Sequence, residues 1–266
     1  MGRDAIRAMF TDAKAEGRAA FLPFMTAGLP SPAVSPSLFT AMADAGADGF
    51  EVGIPYTDPL MDGPVIQKGS DTAIAAGATL DVSLGILGTV AGSGRPTLAM
   101  TYVNPVFRRG IDRFCEDLAN IGADGIIVPD LPVDESLPLR RAAERYGLGV
   151  VLFVAPTSHP ARIAAVAEAD PVFIYAVAEM GVTGERASSG NHMEAIAERV
   201  RAVTDAPIVA GVGISTPDQA VAAGRIADGI IVGSALVRRV LEAPSTEEAR
   251  TSITTLVEEI SSALRH

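Results

Sequence analysis

The chain has 266 residues, 48% of them hydrophobic, and a formal net charge of −11. That charge disfavours nucleic acid and anionic membranes as partners, and no apolar run approaches the roughly 18 residues needed to span a bilayer. The N-terminus lacks the apolar core of a secretory signal and Cys115 stands alone, so a soluble, cytoplasmic protein without internal disulfides is expected.

In chain order, an N-terminal helix is predicted over 2–16, ahead of a first strand at 21–26 (FLPFMT). Helix 33–46 follows, with Ser31 or Ser35 placed to cap it and proline suited to its first turn. Strand 49–54 leads into a loop at 55–79, too long for a plain connection. The remaining strands are expected at 96–101, 125–129, 149–154, 172–177, 207–211 and 229–232. Helices are expected at 80–93, 110–121, 134–146, 159–168, 190–204, 216–224 and 246–264. Eight apolar strands, each followed by a helix, indicate a parallel sheet covered on its outer face. With this count and length, an α/β architecture closed as a single (β/α)8 TIM barrel is expected. No linker or charge block marks a boundary, so one domain over 1–266 is expected.

A repeat supports the barrel. AGADGFEVG (45–53), IGADGIIVP (121–129) and RIADGIIVG (225–233) each run from a helix end through Ala-Asp-Gly into a strand. The triplets lie 76 and 104 residues apart, which suits two and four βα units and places all three strands at even positions.

In such barrels the reacting groups lie at the C-terminal strand ends and in the loops beyond them. EVGIPYTDPLMDGP (51–64) puts Glu51, Asp58 and Asp62 into an apolar, proline-rich stretch with no basic residue. A carboxylate inside a barrel is costly unless it is paired, reaches the mouth or takes a raised pKa, and a raised pKa suits a group that both gives and accepts a proton. The alternative for Glu51 is a structural glutamate satisfied by Tyr or Ser hydroxyls. For Asp58 and Asp62 it is the capping of turns.

Glycines mark three late loops: MGVTGERAS (180–188), GVGIS (211–215) and VGSALV (232–237), the last opening a short helix after strand eight. Backbone N–H groups there, with a helix N-terminus, bind a phosphate without Lys or Arg. Tyr102, Asn104, Asp130 and Tyr175 fall at or just after strand ends, as ligand contacts or as satisfied buried polar groups. Phe24 and Ile127 read as pocket or core. The scattered His159, His192 and His266 suggest no metal site. The only lysines are Lys14 and Lys68, neither inside a strand, which makes a Schiff-base aldolase an unlikely class.

The signature EVGIPYTDPLMDGP resembles that of the tryptophan synthase α subunit family. The likeness extends through FLPFMTAGLP (21–30), MTYVNPVF (100–107), VPDLPVDES (128–136), MGVTG (180–184), GVGIS (211–215) and GSALV (233–237). The resemblance implies a (β/α)8 barrel that cleaves indole-3-glycerol phosphate to indole and glyceraldehyde 3-phosphate without metal or organic cofactor. It further implies Glu51 as general acid/base and Asp62 as the acceptor of the indole N–H. Phe24, Met100, Tyr102, Ile127 and Tyr175 would line the indole pocket, and Gly184, Gly213, Gly233 and Ser234 would hold the phosphate. Thr183 would help close the sixth loop. Asp58 would face a β subunit, a pyridoxal-phosphate enzyme that consumes indole in an α2β2 assembly.

Three positions depart from the family pattern. Leu29 stands near the expected partner surface where many relatives have Asp, Glu179 adds charge to the sixth loop, and Val212 replaces a Phe that often borders the phosphate. Together they put partner coupling and loop closure in question, and two other readings stay in view, the first of them motivated by Leu29 and Glu179. One is a stand-alone lyase releasing free indole; the other is a non-catalytic barrel that only activates a β subunit.

Overall fold

The computed structural model describes residues 2–177, 190–211 and 213–265. Its strands are Ala20–Thr26 (β1), Phe50–Gly53 (β2), Thr97–Met100 (β3), Gly125–Ile127 (β4), Gly149–Val154 (β5), Ile174–Ala176 (β6), Ile208–Ala210 (β7) and Gly229–Val232 (β8). They pair in sequence order, all parallel, and β8 closes onto β1. Around this closed barrel lie Arg3–Ala15 (α1), Ser35–Asp44 (α2), Pro64–Ala75 (α3), Leu80–Ala91 (α4), Val103–Arg109 (α5) and Ile111–Asn120 (α6). Leu137–Arg145 (α7), Pro160–Glu168 (α8), Gly190–Arg201 (α9), Pro217–Gly224 (α10), Ser234–Glu242 (α11) and Thr246–Leu264 (α12) complete the ring. No single described helix is long and apolar enough to cross a membrane.

The Ala-Asp-Gly repeat has a structural cause. Asp48 donates its N–H to the Phe21 carbonyl at 2.9 Å and accepts the Phe21 N–H on its carboxylate at 2.8 Å. Asp124 grips Thr97 in the same two ways, at 2.8 and 3.0 Å, and Asp228 grips Ile208 at 2.8 and 2.9 Å. Each aspartate thus pins the entry of one strand to the entry of the strand before it, satisfying donors that would otherwise lie unpaired at the barrel floor. The residue three places on then faces inward: Glu51, Ile127 and Ile231 all line the same cavity. On β6 the place three before Tyr175 is held by Val172, which makes the same backbone bond to the Val150 carbonyl at 3.0 Å but has no carboxylate to accept an N–H in return.

The floor is plugged by α1. A Cβ on Gly125 or Gly149 would fall 2.9 or 3.1 Å from Ile6, so these strand-entry glycines make room for the plug. Arg18, just beyond α1, forks onto Asp48 at 2.6 and 2.9 Å.

Four expectations need correction. The segment 55–79 is not one loop, because α3 occupies Pro64–Ala75. Its inward face is Ile66, Gly69, Ser70 and Ala73, too small and polar to register as an apolar stripe. Neither Ser31 nor Ser35 caps α2 with its side chain; the Ser35 hydroxyl accepts the Gly28 N–H at 3.0 Å and so holds the first loop down. The helix expected over 134–146 is a 3₁₀ turn, Val133–Glu135, followed by α7, whose first turn contains Pro138. Leu29 is fully buried, against α3, and cannot present itself to a partner.

Candidate active site

Parallel register sets the site. Glu51 lies level with Phe24 of β1 and Leu98 of β3, Met100 with Ile127, and Phe153 with Tyr175. On β2, Phe50 turns outward to meet Phe39 edge-on at 5.6 Å, so alternation turns Glu51 inward. There it is 4% exposed, and no described protein group hydrogen-bonds its Oε2. A structural glutamate satisfied by hydroxyls would look different. Burial first, and then the charge of Asp62, push its pKa up to about 8, so the group is mostly protonated at neutral pH.

Asp62 ends the loop between β2 and α3. Its N–H donates to the Pro59 carbonyl at 3.0 Å, and its own carbonyl accepts from Gln67 Nε2 at 2.7 Å. These backbone bonds fix the turn and leave the carboxyl to the cavity. Burial raises its pKa to about 6, against the pull of the Tyr102 hydroxyl. Asp62 is therefore ionised at pH 7 while Glu51 is not: two carboxyls in one cavity, separated by environment. Asp58 is exposed on the outer turn of the same loop.

The cavity has a volume of about 280 Å³, near the lower end of the roughly 300–1,000 Å³ usual for small-molecule sites. Phe24, Met100, Ile127 and Tyr175 line it, as expected from the sequence, along with Glu51 and Asp62. Tyr102 does not; it is buried beside Asp62 and its hydroxyl accepts the Met61 N–H at 3.2 Å. Phe153, Pro129, Ile66 and Ile231 are wall residues that the sequence reading missed. Strand parity would have found Phe153, which stacks on Tyr175 with centroids 5.2 Å apart and planes at 19°.

Gly213, Gly233 and Ser234 gather at the mouth on the β7 and β8 side. Gly213 has φ of +79°, a conformation glycine enters without strain. Gly233 sits at the N-cap of α11, and the Leu236 and Val237 N–H groups both return to its carbonyl, at 2.9 and 3.0 Å. Among the described residues the first N–H groups of α11 face no such partner, so a helix N-terminus opens onto the cavity, and no described Lys or Arg lines it. Main-chain donors arranged in this way can hold an anion without a cationic side chain. Thr183, Gly184, Glu179 and Val212 lie outside the described residues. Among the described residues, no three His, Cys, Asp or Glu side chains gather as a metal site.

A sequence model of the family described as tryptophan synthase alpha chain matches residues 10–265. The chain belongs to the tryptophan synthase alpha chain family. A tryptophan synthase alpha chain of Salinispora tropica is 45% identical over 256 residues, 96% of each chain, and one of Streptomyces coelicolor is 42% identical over 254 residues, 95% of this chain and 94% of that one. A chain in a structure of Mycobacterium tuberculosis tryptophan synthase superposes with a TM-score of 0.90 at 36% identity, covering 98% of both chains. Family membership assigns the barrel an alpha-chain function in tryptophan biosynthesis, as a carbon–carbon lyase.

Proposed function

We propose that the cavity binds indole-3-glycerol phosphate and that Glu51 and Asp62 carry its cleavage to indole and glyceraldehyde 3-phosphate. The observation behind this reading is the pair of carboxyls in one apolar cavity, one held protonated by burial and the other ionised. Breaking a bond between an aromatic carbon and its side chain requires a proton on that carbon and a place for the ring's positive charge. Protonated Glu51 gives its proton to indole C3, and the Asp62 carboxylate faces the ring N–H, which carries the charge so created. The Glu51 carboxylate then takes the proton from the hydroxyl on the carbon joined to the ring. That C–O becomes C=O, the C–C bond breaks, and its electrons restore the aromatic ring. Glu51 ends as it began, protonated, so the cycle needs no metal or organic cofactor.

The planar ring fits between Phe24, Met100, Ile127 and Tyr175. The phosphate goes to the N–H groups about Gly213, Gly233 and Ser234; Thr183 and Gly184 complete that end in the same reading. A dianion held by dipoles suits a chain of net charge −11 whose described cavity lining has no Lys or Arg.

A tryptophan synthase β subunit is the partner. Leu60, Met61 and Phe107 are 76%, 59% and 56% exposed, on the connections that follow β2 and β3, beside Asp58. Large apolar side chains grouped at the mouth of a barrel favour a protein neighbour there. The stand-alone lyase loses one of its supports, since buried Leu29 is not a surface position. The lone buried Cys115 and the family's biosynthetic role suit a cytoplasmic setting.

The test is indole release by the purified chain, alone and with added β subunit. We expect turnover that rises when β is present and is lost in Glu51→Gln. No indole under either condition, or full activity in Glu51→Gln, would overturn the reading.

A further inference from the structure

Asp62 is the one reacting carboxyl that stands on a loop, yet its task requires a fixed direction. The geometry points to Tyr102 as the positioning residue of Asp62, a brace behind the carboxylate rather than a wall of the indole pocket. This deepens the reading of Glu51 and Asp62 given above and rests on it for its kinetic half only.

The placement is built from three sides. The Tyr102 hydroxyl accepts the N–H of Met61, the residue immediately before Asp62, at 3.2 Å, so the tyrosine holds the loop by its backbone. That bond leaves the hydroxyl proton to be given elsewhere, and the neighbouring Asp62 carboxyl, whose pKa the hydroxyl lowers, is the acceptor we assign to it. The main chain of Tyr102 is fixed in turn, since the next N–H, that of Val103, donates to Asp130 at 2.9 Å. The ring is held from outside. Tyr56, on the Asp62 loop itself, stacks on it with centroids 5.5 Å apart and planes at 29°, and the Tyr56 hydroxyl accepts from Asn104 Nδ2 at 2.8 Å. The loops after β2, β3 and β4 are thus joined through one buried phenol, 2% exposed.

The charges around Tyr102 favour a hydroxyl proton directed at Asp62. Burial, then the charge of Asp62, hold its pKa well above the usual phenol range, so it stays protonated through any working pH and keeps a proton to donate while it accepts from Met61. The ionisable groups around Asp62 are Tyr102, Glu51 on β2 and Tyr175 on β6, with Asp130 acting on Tyr102 from behind. Among the described residues none is a cation. The phenol proton is therefore what favours the ionised form of Asp62 against burial.

Tyr102→Phe keeps the ring and its stack and removes only the hydroxyl. The expected result is a fall in kcat of roughly tenfold with KM within about twofold, the pattern of a group felt in the transition state. The acid limb of the pH–rate profile should move to higher pH, with an unchanged melting curve as the control for folding. Tyr56→Leu, which removes the stack but no hydroxyl at Asp62, should lower kcat in the same direction but less.

A substrate-free measurement separates this inference from the reading it rests on. In protein carrying 13C-labelled Asp carboxyls, with the Asp62 signal assigned by its loss in Asp62→Asn, titration should show the Asp62 midpoint rising by roughly one pH unit in Tyr102→Phe. That rise upholds the brace even if the wild-type chain releases no indole, in which case only the proposed reaction fails. An unmoved midpoint, or a loss of activity confined to KM, makes Tyr102 a packing residue and overturns the inference.

Discussion

The hydroxyl of Tyr175 occupies the place where a side chain on Gly211 would begin: a Cβ there would lie 1.9 Å from the oxygen and 2.5 Å from the ring carbon that bears it. Since real Cβ atoms do not approach so closely, Gly211→Ala must tilt Tyr175 into the cavity or push the β7 loop outward. Tyr175 also stacks on Phe153, so the displacement passes into the neighbouring strand β5. We predict a loss of lyase activity of about 100-fold or more, from misplacement of the ring by an ångström or so, with little change in far-UV circular dichroism.

Two carboxyls with separated pKa values give a bell-shaped rate. Activity in the cleavage direction should rise as Asp62 ionises at about 6 and fall as Glu51 loses its proton at about 8. Measured kcat in Asp62→Asn should lose the acid limb along with most of the rate. In Glu51→Gln, a drop of about 100-fold or more is expected across the whole range.

Glu51 also links stability to pH. Its folded pKa is raised from 4.5 to about 8, so below about pH 4.5 both states hold the proton and nothing is lost. Between about 4.5 and 8 the unfolded chain ionises while the native protein keeps its proton, and the unfolding free energy falls with rising pH. Asp62 adds a term of the same sign over the narrower window from 3.8 to about 6. Urea titrations at pH 5 and pH 8 should therefore show the wild type losing a few kcal/mol relative to Glu51→Gln, which gains no such proton. Equal changes in the two proteins would place Glu51 in water.

At the floor, Asp124→Ala deletes the acceptor of the Thr97 N–H and of the Gly2 N–H, at 3.0 and 2.7 Å. Two donors lose partners at a site where Asp124 is only 6% exposed. Destabilisation of about 2–4 kcal/mol is expected, seen as a lower melting temperature, while kcat of the folded fraction stays the same because the active site lies at the other end of the barrel.

Much of this was legible in the sequence because the barrel repeats itself. Ala-Asp-Gly marked three strands in the sequence and, with it, Glu51 and Ile127 were placed at the site; Ile231, at the same place in the third repeat, was within reach of the same pattern and was missed. The signature about Glu51 and Asp62 named the two carboxyls. What escaped had weak local signals. Helix α3 hides its inward face in Gly69, Ser70 and Ala73, and reads as loop. Gly211 looks like any strand-end glycine until Tyr175 is seen leaning over it. Tyr102 was placed in the pocket wall by the family resemblance, and its strand-end position alone says nothing about which side of Asp62 a ring will take; the Met61 bond and the Tyr56 stack put it behind the loop.

The central claim is a geometry, and a structure of the chain with indole-3-glycerol phosphate bound tests it most directly. Glu51→Gln protein, unable to turn over, would hold the substrate for the measurement. The account predicts the ring between Phe24 and the Met100–Ile127 wall, its N–H on Asp62, its C3 facing residue 51, and its phosphate on the main chain at Gly213, Gly233 and Ser234. A ring bound away from both carboxyls, or a phosphate held elsewhere, would contradict it.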